Sequence, residues 1–231
     1  MQQIVILTGA GVSAESGLGT FRDKDGLWTK YDLEEVATPQ GFARNPALVH
    51  DFYNARRANL LAAAPNPAHV ALARLQATRP GAVTLITQNV DDLHERAGAR
   101  EVIHMHGQLM RARCAACAHV WDAPPVMAPD DPCPSCAAPA TRPDVVWFGE
   151  FPYHMERIGA ALERADLFVA IGTSGNVYPA AGFVQEAAMA GARTLELNLE
   201  STAARFDAVR TGPASVVVPA WVDDVLGQGA G

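Results

Sequence analysis

Five short, mostly apolar runs alternate with alanine-rich stretches along this 231-residue chain. The runs cover residues 4–7, 83–87, 167–171, 194–197 and 216–218. Strands that are buried on both faces of a parallel sheet have this pattern, because neither face meets solvent. The stretches between them predict helices over residues 46–63, 68–77, 155–165 and 180–190. The alternation predicts an α/β fold, with a Rossmann-like parallel sheet as its core.

Two regions interrupt this alternation. Residues 28–80 contain helical patterns without a strong strand, and residues 109–142 are rich in Cys, Pro and Ala. We interpret them as a helical insertion and a metal-binding insertion that together form a small lobe. The core then consists of residues 1–27, 81–108 and 143–231, and the whole chain, residues 1–231, forms a single domain.

Charge and hydropathy exclude several classes of protein. The chain has 18 basic and 25 acidic residues, a net charge of −7, and no strongly basic stretch. A nucleic acid bound through many of its phosphates is therefore not expected as a partner. No run of 18 apolar residues occurs, and the apolar start is too short for a signal peptide. We expect a cytoplasmic protein without a membrane partner. No pattern indicates an oligomeric state.

The four cysteines form two C-x2-C pairs that are separated by 15 residues. Each pair can bind one metal ion from a turn, and the gap suits a tetrahedral zinc site. Disulfides or unpaired thiols are the alternatives, although disulfide frameworks are typical of small secreted domains. Four protein ligands leave no open position, so we expect one structural Zn²⁺ that takes no part in chemistry. Its ligands are Cys114, Cys117, Cys133 and Cys136.

The first apolar run is followed directly by a glycine-rich turn, residues 9–14, that fits the dinucleotide-binding pattern G-x-G-x-x-G/A. Such a turn and the helix after it can bind a pyrophosphate, although similar turns also occur for steric reasons. An acidic ribose partner normally follows about 20 residues later, but that region has no strand here. Asn198 and Glu200, after the run at 194–197, are better candidates.

Several polar side chains lie where strands are predicted to end. Asn89 and Asp91 follow the run at 83–87, where ligands bind in open α/β sheets, but such residues also cap helices. His106 precedes a glycine and is a candidate general base. His104 lies two residues away, so a structural role for these histidines, or metal binding by the two together, remains an alternative. Thr173 is suited to nucleotide binding or to helix capping.

Tyr53 and Arg56 are three residues apart in a predicted helix and therefore share one face. A phenol hydroxyl beside a guanidinium can bind a carboxylate, because arginine contacts both carboxylate oxygens at once. The alternative is a solvated basic face.

Taken together, the ordered motifs resemble those of the sirtuin family over nearly the whole chain. They are the glycine-rich stretch 9–17, Thr-Phe-Arg at 20–22, Gln-Asn-Val-Asp at 88–91, His-Gly at 106–107, the four cysteines, Val-Trp-Phe-Gly-Glu at 146–150, Gly-Thr-Ser at 172–174 and Asn-Leu-Glu at 198–200. The first loop differs from the commonest sirtuin pattern. With Tyr53 and Arg56, it resembles bacterial class III sirtuins, which remove succinyl and malonyl groups.

The resemblance implies an NAD-dependent deacylase that takes succinyl, malonyl and acetyl groups from lysine side chains of proteins. His106 would act as general base beside Asn89 and Asp91, and the products would be nicotinamide and O-acyl-ADP-ribose. NAD would contact Gly9, Ala10, Gly11, Ser13, Ala14, Glu15, Gly17, Thr20, Phe21, Arg22, Trp28, Gln88, Asn89, Val90, Asp91, Gly172, Thr173, Ser174, Asn198, Leu199, Glu200 and Ala214. The acylated peptide would contact Tyr53, Arg56, Val146, Phe148, Gly149, Glu150, Asn176, Val177 and Tyr178.

Two other functions use the same motifs. A mono-ADP-ribosyltransferase would consume NAD with the same leaving group, and a catalytically silent protein would only bind NAD or serve as a zinc scaffold. An intact set of Asn89, Asp91 and His106 argues against the silent protein.

Overall fold

The computed structural model describes residues 2–19 and 31–227. Its strands are β1 Ile4–Thr8, β2 Val83–Thr87, β3 Ile103–His104, β4 Gly107–Cys114, β5 Val120–Asp122, β6 Thr141–Val145, β7 Leu167–Ile171, β8 Arg193–Asn198 and β9 Ala208–Thr211. Its helices are α1 Leu33–Val36, α2 Pro39–Arg44, α3 Pro46–Ala62, α4 Pro67–Thr78, α5 Leu93–Arg96, α6 Met155–Leu162, α7 Phe183–Met189 and α8 Ala214–Gly227.

Six of the strands form one parallel sheet in the order β3-β2-β1-β7-β8-β9. The pairing of β1 is in register on both sides, with Ile4 opposite Val83 of β2 and Leu167 of β7. Because all six strands run the same way, their carboxyl ends meet at one edge. The predicted α/β fold with a Rossmann-like parallel core is confirmed.

Both faces of the central part of this sheet are covered, which explains why β1, β2 and β7 are mostly apolar. Ile4 and Ile6 pack with α4 and α8 in one buried cluster. Val5 and Leu7 point the other way and pack with α6 and α7 in a second cluster. Successive residues of a strand face opposite sides, so the run supplies two hydrophobic layers at once.

A second, antiparallel sheet lies outside this core, in the order β5-β4-β6. It carries the four cysteines on and beside its strands. A third buried cluster joins its Leu109 and Val145 to Phe52 and Tyr53 of α3 and to Trp147. This cluster forms the contact between the antiparallel sheet and the helices that precede β2.

The strand expected over residues 216–218 is wrong, because these residues lie inside α8. Val218, Trp221 and Val222 are buried at positions i, i+3 and i+4, which is the spacing of one helix face. A short β-branched run fits a strand or a buried helix equally well, and only the packing decides between them. The strand at this edge of the parallel sheet is instead β9, whose four residues are all exposed.

Among the described residues, none of the helices combines the length and the apolar character needed to cross a bilayer.

Candidate active site and zinc site

The glycine-rich turn after β1 packs directly on the turn after β7. The N–H of Gly11 donates to the carbonyl oxygen of Gly172 over 2.9 Å. A Cβ atom added at Gly11 would lie 2.8 Å from backbone atoms of Gly172, and one added at Gly9 would lie 2.8 Å from the same carbonyl oxygen. Both positions therefore require glycine, because two backbones approach each other without room for a side chain.

The chain beyond this turn differs from the helix that we expected. Residues Ala10–Val12 and Ala14–Ser16 form two short 3₁₀ helices, the second of which ends at Gly17 with φ 85°. The N–H of Val12 bonds three residues back, to Gly9, over 3.1 Å, so the turn is tighter than an α-helix.

A second group of predicted cofactor residues lies at the ends of β7 and β8. The Asn198 side chain donates from Nδ2 to the carbonyl oxygen of Thr173 over 2.7 Å and ties the two turns together. The Glu15 carboxylate accepts from the backbone N–H of Ser215 over 3.2 Å, at the start of α8 beside Ala214. The strand ends, the glycine-rich turn and the N-terminus of α8 therefore share one edge of the sheet.

A buried hydrogen-bonded chain joins three of the predicted residues. Asn89 donates from Nδ2 to Ser13 Oγ over 3.2 Å, and Ser13 donates to Asp91 Oδ2 over 3.0 Å. Burial raises the pKa of Asp91, although hydrogen bonds from the Leu93 N–H and from Ser13 oppose the rise. Asp91 Oδ1 accepts that Leu93 N–H over 3.2 Å, so the carboxylate also caps the turn, as the alternative interpretation proposed.

His106 is held by the same segment. Its Nδ1 lies 3.0 Å from the carbonyl oxygen of Gln88, and a carbonyl only accepts, so Nδ1 carries a proton and donates it. In the neutral ring, Nε2 then has a lone pair that can take a proton. Burial lowers the pKa of His106, and the hydrogen bond to Gln88 opposes this change.

Two further histidines lie beneath this chain, and sequence reasoning overlooked them. His69 Nε2 is 3.3 Å from Ser13 Oγ, and His94 Nε2 is 3.0 Å from Thr8 Oγ1. Burial lowers the pKa of His69 to about 4 and that of His94 well below its ordinary value. The signal in the sequence is local: His69 is residue N3 of α4 and completes a capping box with Asn66.

Tyr53 and Arg56 both belong to α3 and lie together, as their spacing predicts. The guanidinium carbon of Arg56 is 5.5 Å from the centre of the Tyr53 ring and 5.6 Å from that of Phe52. Burial lowers the pKa of Arg56, while Tyr53 and Asp91 favour its charged form. Arg56 therefore interacts favourably with Asp91, and the pair does not form a solvated basic face.

The two segments expected to contact a peptide present exposed side chains. Phe148 is 51% exposed, and its N–H donates to the carbonyl oxygen of Ala37 over 2.9 Å. Tyr178 is 80% exposed, two residues beyond Asn176. Glu150 is different, because its carboxylate binds Arg142 within the same region.

The four cysteine sulfurs lie within 4.8 Å of one another. Cys114 and Cys136 are 3.7 Å apart between sulfurs, as are Cys117 and Cys133. A tetrahedron with Zn–S bonds of about 2.3 Å places its sulfurs about 3.8 Å apart, whereas a disulfide needs about 2.05 Å. The thiolate set therefore fits the predicted structural zinc ion and excludes disulfides.

Four of the residues predicted to contact NAD lie outside the residues that the structure describes. They are Thr20, Phe21, Arg22 and Trp28.

Comparison with known proteins identifies the class. The description "Sir2 family" matches residues 9–179, and the chain belongs to this family, the sirtuins. It is 62% identical over 234 residues to an NAD-dependent protein deacylase of Caulobacter vibrioides, with 99% of this chain and 98% of the relative covered.

Two solved structures extend the comparison. A Sir2 homologue–NAD complex has a TM-score of 0.90 at 42% identity and covers 98% of this chain and 90% of its own. A Sir2 protein bound to acetylated peptide has a TM-score of 0.80 at 27% identity, with 98% and 93% covered. The prediction of an NAD-dependent protein deacylase is confirmed at this level.

Proposed function

We propose that this deacylase removes acidic acyl groups, succinyl and malonyl, as well as acetyl, from lysine side chains of proteins. The observation that carries the proposal is the position of Tyr53 and Arg56. The pair combines a hydroxyl and a guanidinium on one face of α3, with the guanidinium carbon 5.5 Å from the Tyr53 ring centre and its charge favoured by Asp91. A carboxylate at the far end of an acyl chain would find a bidentate cationic partner there.

Different residues of the site would bind NAD and accept the proton. NAD, when bound, supplies the sugar carbon that captures the acyl oxygen and the hydroxyl that finally carries the acyl group. The glycine-rich turn and the neighbouring strand ends hold the pyrophosphate and the ribose. Asn89 and Asp91 hold the nicotinamide end in place. The lone pair at His106 Nε2 accepts a ribose hydroxyl proton, which needs the neutral ring that burial favours.

Substrate peptides would lie between two segments, Val146 to Glu150 and Asn176 to Tyr178. Extended chains add to exposed backbone edges with little demand on sequence. We also propose that the protein acts in the cytoplasm. Residues 28–80 and 109–142 would form the small lobe, and the acylated lysine would enter between this lobe and the core. Acylated lysines of proteins are then its partners.

The decisive experiment measures kcat/KM on matched acetyl, malonyl and succinyl peptides, with and without NAD, by mass spectrometry. We expect one nicotinamide for each acyl group removed. Full turnover without NAD, or a protein that gains ADP-ribose and keeps its acyl group, contradicts the proposal.

Arg56→Met tests the acyl preference. We expect desuccinylation to fall about 10- to 100-fold more than deacetylation, the range for one charge-assisted contact. Arg44→Met is the matched control, because it removes an exposed positive charge from the neighbouring helix α2. Equal losses on both substrates would show that Arg56 does not bind the distal carboxylate.

A further inference from the structure

The hydroxyl group of Tyr53 is held by Trp147, a residue of the Val-Trp-Phe-Gly-Glu motif at 146–150 that has no predicted role of its own. Trp147 donates its indole N–H from Nε1 to Tyr53 Oη over 2.9 Å. Both side chains are buried, with 2% and 1% of their surfaces exposed. A hydrogen bond between two buried side chains has one geometry, because neither ring has room to turn.

The indole is itself fixed from several sides. The guanidinium carbon of Arg142 lies 3.4 Å from the centre of the Trp147 ring. Arg142 in turn forms a fork with the Glu150 carboxylate at 2.7 and 2.9 Å, and the backbone N–H of Trp147 donates to the same carboxylate over 2.8 Å. Phe42 packs against the indole at 5.1 Å between ring centres. The N–H vector is therefore set before any substrate arrives.

This bond determines what the Tyr53 hydroxyl can do. A phenol oxygen has one proton and accepts through its lone pairs. One lone pair is used by Trp147, and the cationic Arg56 beside the hydroxyl also has only protons to offer. The hydroxyl proton must therefore point away from both donors. Within the part of the chain that the structure describes, no acceptor meets it.

We infer that Trp147 is a specificity-determining positioning residue, which orients the Tyr53 hydroxyl so that it donates to the distal carboxylate of an acyl group. The inference rests on the proposed function and deepens it. A distal carboxylate accepts hydrogen bonds from both this O–H and the Arg56 guanidinium, whereas an acetyl group has no distal oxygen to accept them. The selectivity for acidic acyl groups then depends on a residue that never touches the substrate.

Trp147→Phe tests this inference, because phenylalanine keeps an aromatic ring beneath Arg142 and removes the N–H. We expect the ratio of kcat/KM for succinyl to that for acetyl peptide to fall about 3- to 10-fold, mainly through the KM for succinyl peptide. This is the range for one neutral hydrogen bond between two side chains. An unchanged ratio would overturn the inference.

A double-mutant cycle separates positioning from packing. In a Tyr53→Phe background, Trp147→Phe should leave the ratio unchanged, because the hydroxyl that it orients is gone. The same loss in both backgrounds would overturn the inference. Trp121→Phe is the matched control: it removes an indole N–H from β5, where Trp121 stacks on His119, and should leave the ratio unchanged.

A second variant tests the inference if Trp147→Phe fails to fold. Site-specific replacement of Trp147 by its benzothienyl analogue, with sulfur in place of N–H, keeps the shape of the side chain. The same fall in the ratio supports the inference, and a wild-type ratio overturns it. The two proposals fail differently: a wild-type enzyme that shows no turnover of succinyl peptide refutes the proposed acyl preference, whereas active wild type with an unaffected variant refutes only the role of Trp147.

Discussion

The imidazole of His106 donates its Nδ1–H to the carbonyl oxygen of Gln88, 3.0 Å away. Gln88 directly follows β2, and His106 directly precedes β4. One hydrogen bond thus connects the parallel core to the strand that continues into the zinc-binding sheet. It also fixes the tautomer, because the other ring nitrogen has a free lone pair in the neutral ring.

This arrangement predicts the pH dependence of deacylation. Burial lowers the pKa of His106 from its usual 6.5, so the neutral ring persists below that pH. The acidic limb of the kcat/KM profile should therefore lie below pH 6.5, with activity lost as pH falls through it. His106→Ala should lower turnover by about 10²- to 10⁴-fold while zinc content and NAD binding remain. An acidic limb above pH 6.5, or an active variant, would refute the role of the base.

His69 should make stability depend on pH. Its pKa is about 4 in the folded protein, because burial disfavours the charged ring, against 6.5 when unfolded. Between these values the unfolded chain binds more protons, so stability is complete above pH 6.5 and falls as pH decreases toward 4. His69→Gln retains a donor for Ser13 and should lose roughly 2–3 kcal/mol less over this range in urea unfolding.

The comparison with wild type isolates His69, because zinc release in acid affects both proteins alike. Equal pH dependence in the two proteins would show that His69 makes no such contribution.

Alanine substitutions at two glycines, Gly11 and Gly159, should change the stability of the fold in opposite directions. Gly11→Ala places a Cβ 2.8 Å from backbone atoms of Gly172, so it should destabilise the fold by about 1–3 kcal/mol and raise the KM for NAD. Gly159→Ala is the control: it lies inside α6 with nothing within 4 Å, and it should stabilise by about 0.5–1 kcal/mol. Thermal unfolding and NAD titration measure both, and an unaffected Gly11→Ala would contradict the contact.

The turns that hold zinc contain strained alanines. Ala118 and Ala137 each follow the second cysteine of a pair, with φ of 60° and 61°. This left-handed region costs a residue with a side chain about 1–2 kcal/mol. Ala118→Gly should therefore raise the free energy of unfolding by up to about 1 kcal/mol. Ala116→Gly, in the same turn without a positive φ, should lower it by about 0.5–1 kcal/mol. The same sign for both variants would contradict the strain.

Much of the site followed from local patterns in the sequence. The spacing of the four cysteines is enough to predict a tetrahedral thiolate set, because each pair acts within one turn. Tyr53 and Arg56 lie on one face because three residues are close to one helical turn. The apolar runs at β1, β2 and β7 predict a parallel core because they lack any polar alternation.

Other features depend on contacts between distant segments, which no local pattern contains. Residues 216–218 are β-branched yet helical, because Val218, Trp221 and Val222 form one face that packs against the sheet cluster. Local patterns do not predict the role of His69 for the same reason. Its Nε2 contacts Ser13 Oγ, which is 56 positions away along the chain. Burial, and with it every pKa discussed for the histidines, exists only after the helices cover the sheet.

The sequence by itself therefore determined the α/β class, the zinc ligands and the sirtuin motifs, since each is encoded within one turn, strand or short segment. Only the tertiary structure decided that Trp147 meets Tyr53, 94 positions away, and that Arg56 lies within reach of Asp91. The physical reason is the distance along the chain over which each interaction acts. Short-range sterics and periodicity are local to the sequence, whereas hydrogen-bond direction and desolvation depend on which elements pack together.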